Sequence, residues 1–236
     1  GSQLYMLLPD WVREGGFKAM LGRLHDPALT PRIFEYLDSL SLHYDRMRVA
    51  EAGDGVSAGK SVADLALRMR SDPKETMIRL ITANRGRVSI VNKTLRFSDV
   101  ARAIYSPHGM VATNGSGYEL LPAAGAVPHP RSFGAFPHFL HRFVGDGTSL
   151  SWERAIAKIT GIPADFFGLS KRGRITKGYH ADLVMFDPVK IRDTATYRNP
   201  YGGVEGISII TVNGVAVWED GSVQYGKKPG KVLRKA

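Results

Sequence analysis

Through the first hundred residues the apolar positions recur mainly at three- and four-residue intervals, the spacing that gathers them on one face of a helix. This predicts helices over residues 15–24, 32–37, 62–69 and 73–81. The flanks carry start signals. Pro9-Asp-Trp11 opens one element, and Thr30-Pro31 and Pro73 put proline in a first helical turn, where its missing N–H removes no hydrogen bond. Two segments depart from helical spacing. Asp45-Arg-Met-Arg-Val-Ala50 partly alternates polar and apolar residues before the turn Gly53-Asp-Gly55, and Arg87-Val-Ser-Ile-Val-Asn92 is rich in β-branched residues, so both read as strands in a mainly helical third. Ser98-Asp-Val100 then caps a short helix leading to Pro107.

The second half changes character. Met110-Val-Ala-Thr-Asn-Gly115 is a short apolar run ending in turn residues, which reads as a parallel barrel strand breaking into a loop. From Ser149 to Thr160 the pattern is a capped helix with Glu153 near its start, closed by Gly161-Ile-Pro163. Short strands follow over residues 173–178, 181–188 and 207–211. The last leads into Val212-Asn-Gly-Val-Ala-Val-Trp218, where Asn213-Gly214 between apolar runs is a strong hairpin signal.

At 236 residues, 43% hydrophobic and 23% charged, the chain can bury a core. A complete eight-stranded α/β barrel needs roughly 250 residues before any further domain. With no cysteine there is no disulfide framework and no thiolate metal site within the chain. No apolar run reaches membrane-spanning length and no charged-then-apolar leader is seen, so the expected location is cytoplasmic. The net charge of +10 raises nucleic-acid binding. However, the basic residues are scattered, with clusters only at Lys171-Arg-Gly-Arg174 and in residues 227–235, and aromatic residues do not alternate with them as a stacking surface needs. An acidic partner segment would account for the charge as well. Gly55-Val-Ser-Ala-Gly-Lys-Ser61 has one residue too few between its glycines to wrap a phosphate, and reads as a Gly/Ser turn.

One family is suggested by several stretches together. Thr113-Asn-Gly115, His129-Pro-Arg131, Ile159-Thr-Gly-Ile-Pro-Ala164, Arg172-Gly173, Ala181-Asp-Leu-Val184, Phe186-Asp-Pro188 and Val212-Asn-Gly214 resemble the barrel end and β-sandwich of the amidohydrolase superfamily. Asp193-Thr-Ala-Thr-Tyr197, Asn199-Pro200 and Pro229-Gly-Lys-Val-Leu-Arg234 narrow the likeness to the N-acyl-D-amino-acid deacylase, or D-aminoacylase, branch. Upstream, Leu8-Pro-Asp-Trp11 and Gly15-Gly16 are similar to that branch's segment after its seventh barrel strand. The resemblance implies an α/β fold, the C-terminal part of an amidohydrolase (β/α)8 barrel with a helical insert and a small β-sandwich. Residues 1–98 would be the insertion between the last two barrel strands, 99–168 the last strand and helices, and 169–236 the sandwich portion.

It also implies chemistry. In the family a zinc ion activates water, and an aspartate in Ser-Asp-Gly or Thr-Asp-Gly carries the proton to the leaving amine, cleaving an N-acyl-D-amino acid to a carboxylate and a D-amino acid. Here the aspartate position is Asn114, an amide that cannot take up a proton near neutral pH. The same letters also suit an ordinary Gly-rich loop. Arg131 matches the family's His-Pro-Arg and would grip the substrate carboxylate, or serve as a structural ion-pair tie. Ser2 aligns with a carboxylate-binding serine, or belongs to a Gly-Ser cloning remnant. The family's histidine ligands fall outside these residues, so zinc would be bound mainly by residues beyond this chain. The implied partners are the N-acyl-D-amino acid substrate and an N-terminal half or partner chain that completes the barrel. This chain alone is then expected to be inactive. His129 reads as a supporting histidine, and His138 with His141 as a surface or packing pair. Two alternatives stay open: another amidohydrolase acting on cyclic amides, or an inactive relative that binds substrate or a partner subunit.

Overall fold

Two helix starts in the N-terminal unit fall where a side chain satisfies a free backbone N–H group. Ser61 accepts from the Asp64 N–H at 3.0 Å while the Asp64 carboxylate accepts from the Ser61 N–H at 3.2 Å, a reciprocal cap. Asp72 accepts from Lys74 N–H at 2.7 Å, with Pro73 in the first turn. The computed structural model describes residues 2–118, 128–144, 150–197 and 199–233, which group into two units.

The first unit comprises residues 1–94, 118–129 and 197–201. Its elements are β1 (Ser2–Gln3), a 3-10 turn (Leu4–Leu7), α1 (Asp10–Arg13), α2 (Gly16–Leu24), α3 (Thr30–Ser39), β2 (Met47–Ala52), α4 (Val62–Met69), α5 (Pro73–Ala83) and β3 (Val88–Asn92). The expected helical insert thus carries a sheet. The strands run antiparallel in the order β1-β3-β2, with a bulge between Val49 and Glu51. Met47, Val49, Val88 and Ile90 from the strands meet Met20, Ile33, Leu37, Met77 and Ile81 from the helices in one buried cluster. Such a layered arrangement covers the apolar face of a sheet that could not be stable uncovered.

The second unit comprises residues 95–117, 130–196 and 202–236. It holds α6 (Phe97–Tyr105), α7 (Arg131–Phe143), α8 (Trp152–Ile159), α9 (Gly161–Phe166), β4 (Leu183–Phe186), β5 (Arg192–Asp193), β6 (Val204–Glu205), β7 (Ile207–Val212), β8 (Val215–Glu219) and β9 (Ser222–Val223). Its core gathers Phe139, Leu140 and Phe143 of α7 with Leu150, Ala155 and Ile191. Asn213 and Gly214 both take positive φ, +48° and +82°, in the β7–β8 turn, as the hairpin signal requires. Four of the quoted motifs converge next to it. Arg172 pairs with Asp182 and donates to Asn213 Oδ1 at 2.9 Å, the Asn213 N–H donates to Asp182 at 2.7 Å, and Asn213 Nδ2 donates to the Pro229 carbonyl at 2.7 Å.

Three expectations are corrected. No strand forms at Met110: the Val111 N–H donates instead to the Lys158 carbonyl at 3.1 Å, because a parallel strand needs neighbours that no described segment supplies. Residues 173–178 form turns rather than a strand, with Ile175 91% exposed. Gly161-Ile-Pro163 opens α9 instead of ending in a loop, since proline is tolerated in a first turn. The helix expected from Ser149 is capped by Ser151; Ser149 itself lies outside the described residues, as does the end of the basic tail from residue 234.

Sheet order in this unit is β4-β7-β8-β9, all antiparallel, and none of the residues in these four strands is buried.

Ser61→Ala should destabilise the N-terminal unit by about 1 kcal/mol, measured by denaturant unfolding followed at β2 and β3 amides. Acid should weaken the same unit. Hydrogen bonds from Ser61 hold the Asp64 carboxyl below its usual range, and at Asp54 bonds from Ser57 and Val56 outweigh the upward push of burial. Carboxyls lowered on folding contribute stability above about pH 4 and lose it as pH falls through their native values, so the unit's melting temperature should drop over that interval.

Candidate functional site

The loop over residues 113–115 is held by its own first residue. Thr113 Oγ1 accepts from the Gly115 N–H at 3.0 Å and donates to the Arg131 carbonyl at 3.4 Å, which ties the loop to the start of α7. Gly115 is required there, because a Cβ would lie 2.8 Å from Ser132 Cα. Asn114 stands exposed at the tip. Arg131, half-buried, is the first residue of α7, so its carbonyl and the positive end of the helix dipole lie beside the loop. That helix end favours an anionic group. The structure therefore sets the loop that carries Asn114 against the backbone of Arg131, whereas Ser2 belongs to the N-terminal unit, exposed on β1 opposite Ile90.

Two further contacts set the positions of these elements. α7 lies directly on β5: a Cβ on Gly134 would come 2.4 Å from Asp193 Cβ, and His138 Nδ1 is 3.0 Å from the Asp193 carboxylate. On the other side, Lys158 is 1% exposed and its ammonium donates to the Ser106 and Gly109 carbonyls, both at 2.6 Å. These are orphan carbonyls at and beyond the end of α6, where a cation is favoured. Burial, with a smaller push from the charge of Arg154, draws the lysine pKa below its ordinary value.

Comparison with known proteins gives the loop its context. Residues 121–225 match the model of the amidohydrolase family. Over 202 residues, 83% of this chain and 38% of the relative, the chain is 34% identical to an N-acyl-D-aspartate deacylase of Alcaligenes xylosoxydans xylosoxydans. A D-aminoacylase from the same organism is 42% identical over 106 residues, 45% of this chain and 22% of the relative. The N-acyl-D-glutamate deacylase of Bordetella bronchiseptica, solved with zinc and a phosphonate mimic of the tetrahedral intermediate, superposes with a TM-score of 0.71 at 30% identity, covering 81% of this chain and 38% of that one. The chain's homologues are thus N-acyl-D-amino-acid deacylases and D-aminoacylases, and residues 121–225 carry the amidohydrolase signature. The chain spans little more than a third of the length of the relatives it matches.

For this D-aminoacylase relative, the remaining histidines have structural surroundings. His129 Nε2 lies 3.2 Å from the Tyr197 hydroxyl, with the rings edge to face, and His141 is exposed in the last turn of α7. Among the described residues no group of three or more His, Cys, Asp or Glu side chains is placed to hold a metal ion. Sequence reasoning missed Lys158, and it noted Asp193 as part of a motif without a contact of its own. A signal for Lys158 existed: it follows Ala155 by three residues on the apolar stripe of α8, where a lysine needs buried acceptors.

Gly134→Ala should force α7 off β5 and destabilise the C-terminal unit by about 1–3 kcal/mol, the usual cost of overpacking. Urea unfolding followed at the β7–β8 amides measures it, and an unchanged midpoint would contradict the close approach.

Proposed function

We propose that the chain is the C-terminal part of a zinc-dependent amidohydrolase acting on N-acyl-D-amino acids, with Asn114 at the position of the family's catalytic aspartate. The observation that carries this reading is the 113–115 loop bound to the Arg131 end of α7. On this reading residues 1–98 are an insertion between the last two barrel strands, 99–168 the position of the last strand, whose Met110 run is unpaired here, with its helices, and 169–236 part of a β-sandwich. Arg131 would bind the substrate carboxylate as a bidentate pair, and Ser2 would assist it. Asn114 can donate and accept hydrogen bonds to the scissile amide or an attacking water, but it cannot carry the proton between them.

The described residues do not by themselves fit a zinc site, so the metal would be held by segments outside this chain. Support for such segments comes from a sheet that is only partly covered, with Phe186 and Ile207 against the core and Leu183, Val184 and Met185 exposed. An apolar groove of about 1070 Å³ opens beside it, lined among others by Phe133, Phe136, Ile175, Leu183, Met185 and Ile209. Exposed apolar surface on this scale marks an interaction site. Its occupant is taken to be the remainder of the deacylase, whose relatives extend well beyond the matched length. Alone, the chain would be inactive. A second reading, a non-catalytic relative that binds substrate or a partner subunit, is favoured by the amide at Asn114 itself.

In the protein carrying the remaining segments, Asn114→Asp should raise hydrolysis of N-acetyl-D-amino acids by roughly 10²–10⁴-fold, the contribution of a general acid–base group. Arg131→Ala should raise KM for substrates with a free carboxylate and spare analogues lacking it. Steady-state kinetics on both enantiomers decides; no gain from Asn114→Asp with zinc bound would favour the binding reading. This chain alone should retain no stoichiometric zinc after exhaustive dialysis, as read by metal analysis.

A further inference from the structure

Two asparagines in this chain precede glycine along structurally described turns, and the fold treats them in opposite ways. At Asn213 both ends of the side-chain amide are engaged, Oδ1 by Arg172 at 2.9 Å and Nδ2 by the Pro229 carbonyl at 2.7 Å. At Asn114 the side chain is exposed and, among the described residues, makes no hydrogen bond. Gly115 offers no Cβ to shield its backbone nitrogen, and that N–H already points to an acceptor, Thr113 Oγ1, at 3.0 Å. An asparagine in this setting has the parts needed for attack on its own side chain: a following glycine nitrogen with no Cβ beside it, whose proton hydroxide can take at alkaline pH, and an exposed amide carbonyl without a hydrogen bond.

We propose that Asn114 is a site of spontaneous deamidation, selected by the fold over Asn213. The Gly115 nitrogen forms a bond to Asn114 Cγ and loses its proton, and the C–N bond to the side-chain nitrogen breaks, releasing ammonia and leaving a five-membered succinimide. Water then adds to one of the two ring carbonyls. Opening at the backbone carbonyl gives isoaspartate, and opening at the side-chain carbonyl gives a normal aspartate at position 114. No oxidant, enzyme or further reactant is needed. If Asn114 stands at the acid–base position, a reading on which this consequence rests, the normal product supplies the missing carboxylate, and the protein gains its proton carrier by ageing.

Incubating the folded chain at mildly alkaline pH, with peptide mapping over time, tests the modification by itself. The peptide containing Asn114 should gain about one dalton and resolve into aspartate and isoaspartate forms, while the Asn213 peptide converts at least about tenfold more slowly. In a urea-unfolded control the two should convert at similar rates. The proposal fails if Asn114 stays an amide over the time in which the unfolded control converts, or if the folded chain converts Asn213 equally fast. Asn114→Gln, which keeps the amide but lengthens the side chain, should abolish the mass change at this site. A separate arm follows hydrolysis of N-acetyl-D-amino acids by the protein with its remaining segments. Activity should rise with the aspartate fraction and stay flat in Asn114→Gln. Conversion without any gain would leave the modification standing and overturn the reading of Asn114 as the acid–base position.

Discussion

Helix α7 can lie on β5 only because residue 134 has no side chain, and most of the C-terminal unit is arranged around that contact. The helix brings Phe139, Leu140 and Phe143 to the core with its later turns and presents Arg131 with its first. His138 meets the Asp193 carboxylate one turn beyond the close approach. A small displacement of α7 would therefore move the arginine, the loop bonded to its carbonyl and the aromatic core together. Lys158 holds the opposite end of the same loop region through the Ser106 and Gly109 carbonyls. Asn114 thus projects from a segment fixed on both sides, while itself remaining free.

Local chemistry was legible in the sequence, and pairing at a distance was not. Pro73 and Asn213-Gly214 set their own helix start and turn, because what they need lies within a few residues. The run at Met110 has the composition of a buried parallel strand, yet composition cannot provide the neighbours that such a strand bonds to. Residues 173–178 fail for a related reason: β-type letters without a partner remain turns. The contact of the 113–115 loop with the start of α7 had no periodic signal, since 17 positions separate Asn114 from Arg131 and the Thr113 and Gly115 contacts close the gap. Ser2, in turn, sits in a sheet whose first strand is too short to leave a pattern.

The quoted family motifs also acquire a physical meaning. Arg172, Asp182, Asn213 and the Pro229 carbonyl are scattered over nearly sixty positions but form one continuous set of hydrogen bonds. Each charged or amide group there satisfies another, which lets a turn, a strand entry and the tail meet with Arg172 only slightly exposed. Asn213 is chosen for its side chain as much as for its left-handed backbone. An aspartate at that position would keep the turn but lose the donor to Pro229.

The partly covered sheet carries a consequence for how such a chain behaves in company. Among the described residues β4 is an edge strand, paired on one side to β7, and Leu183, Val184 and Met185 are 40–56% exposed. Unpaired backbone groups on an apolar edge are a template for any extended segment, including the same strand of another molecule. Copies whose β4 edge stays open are thus set to stack edge to edge, so the yield of dispersed protein should fall as concentration rises.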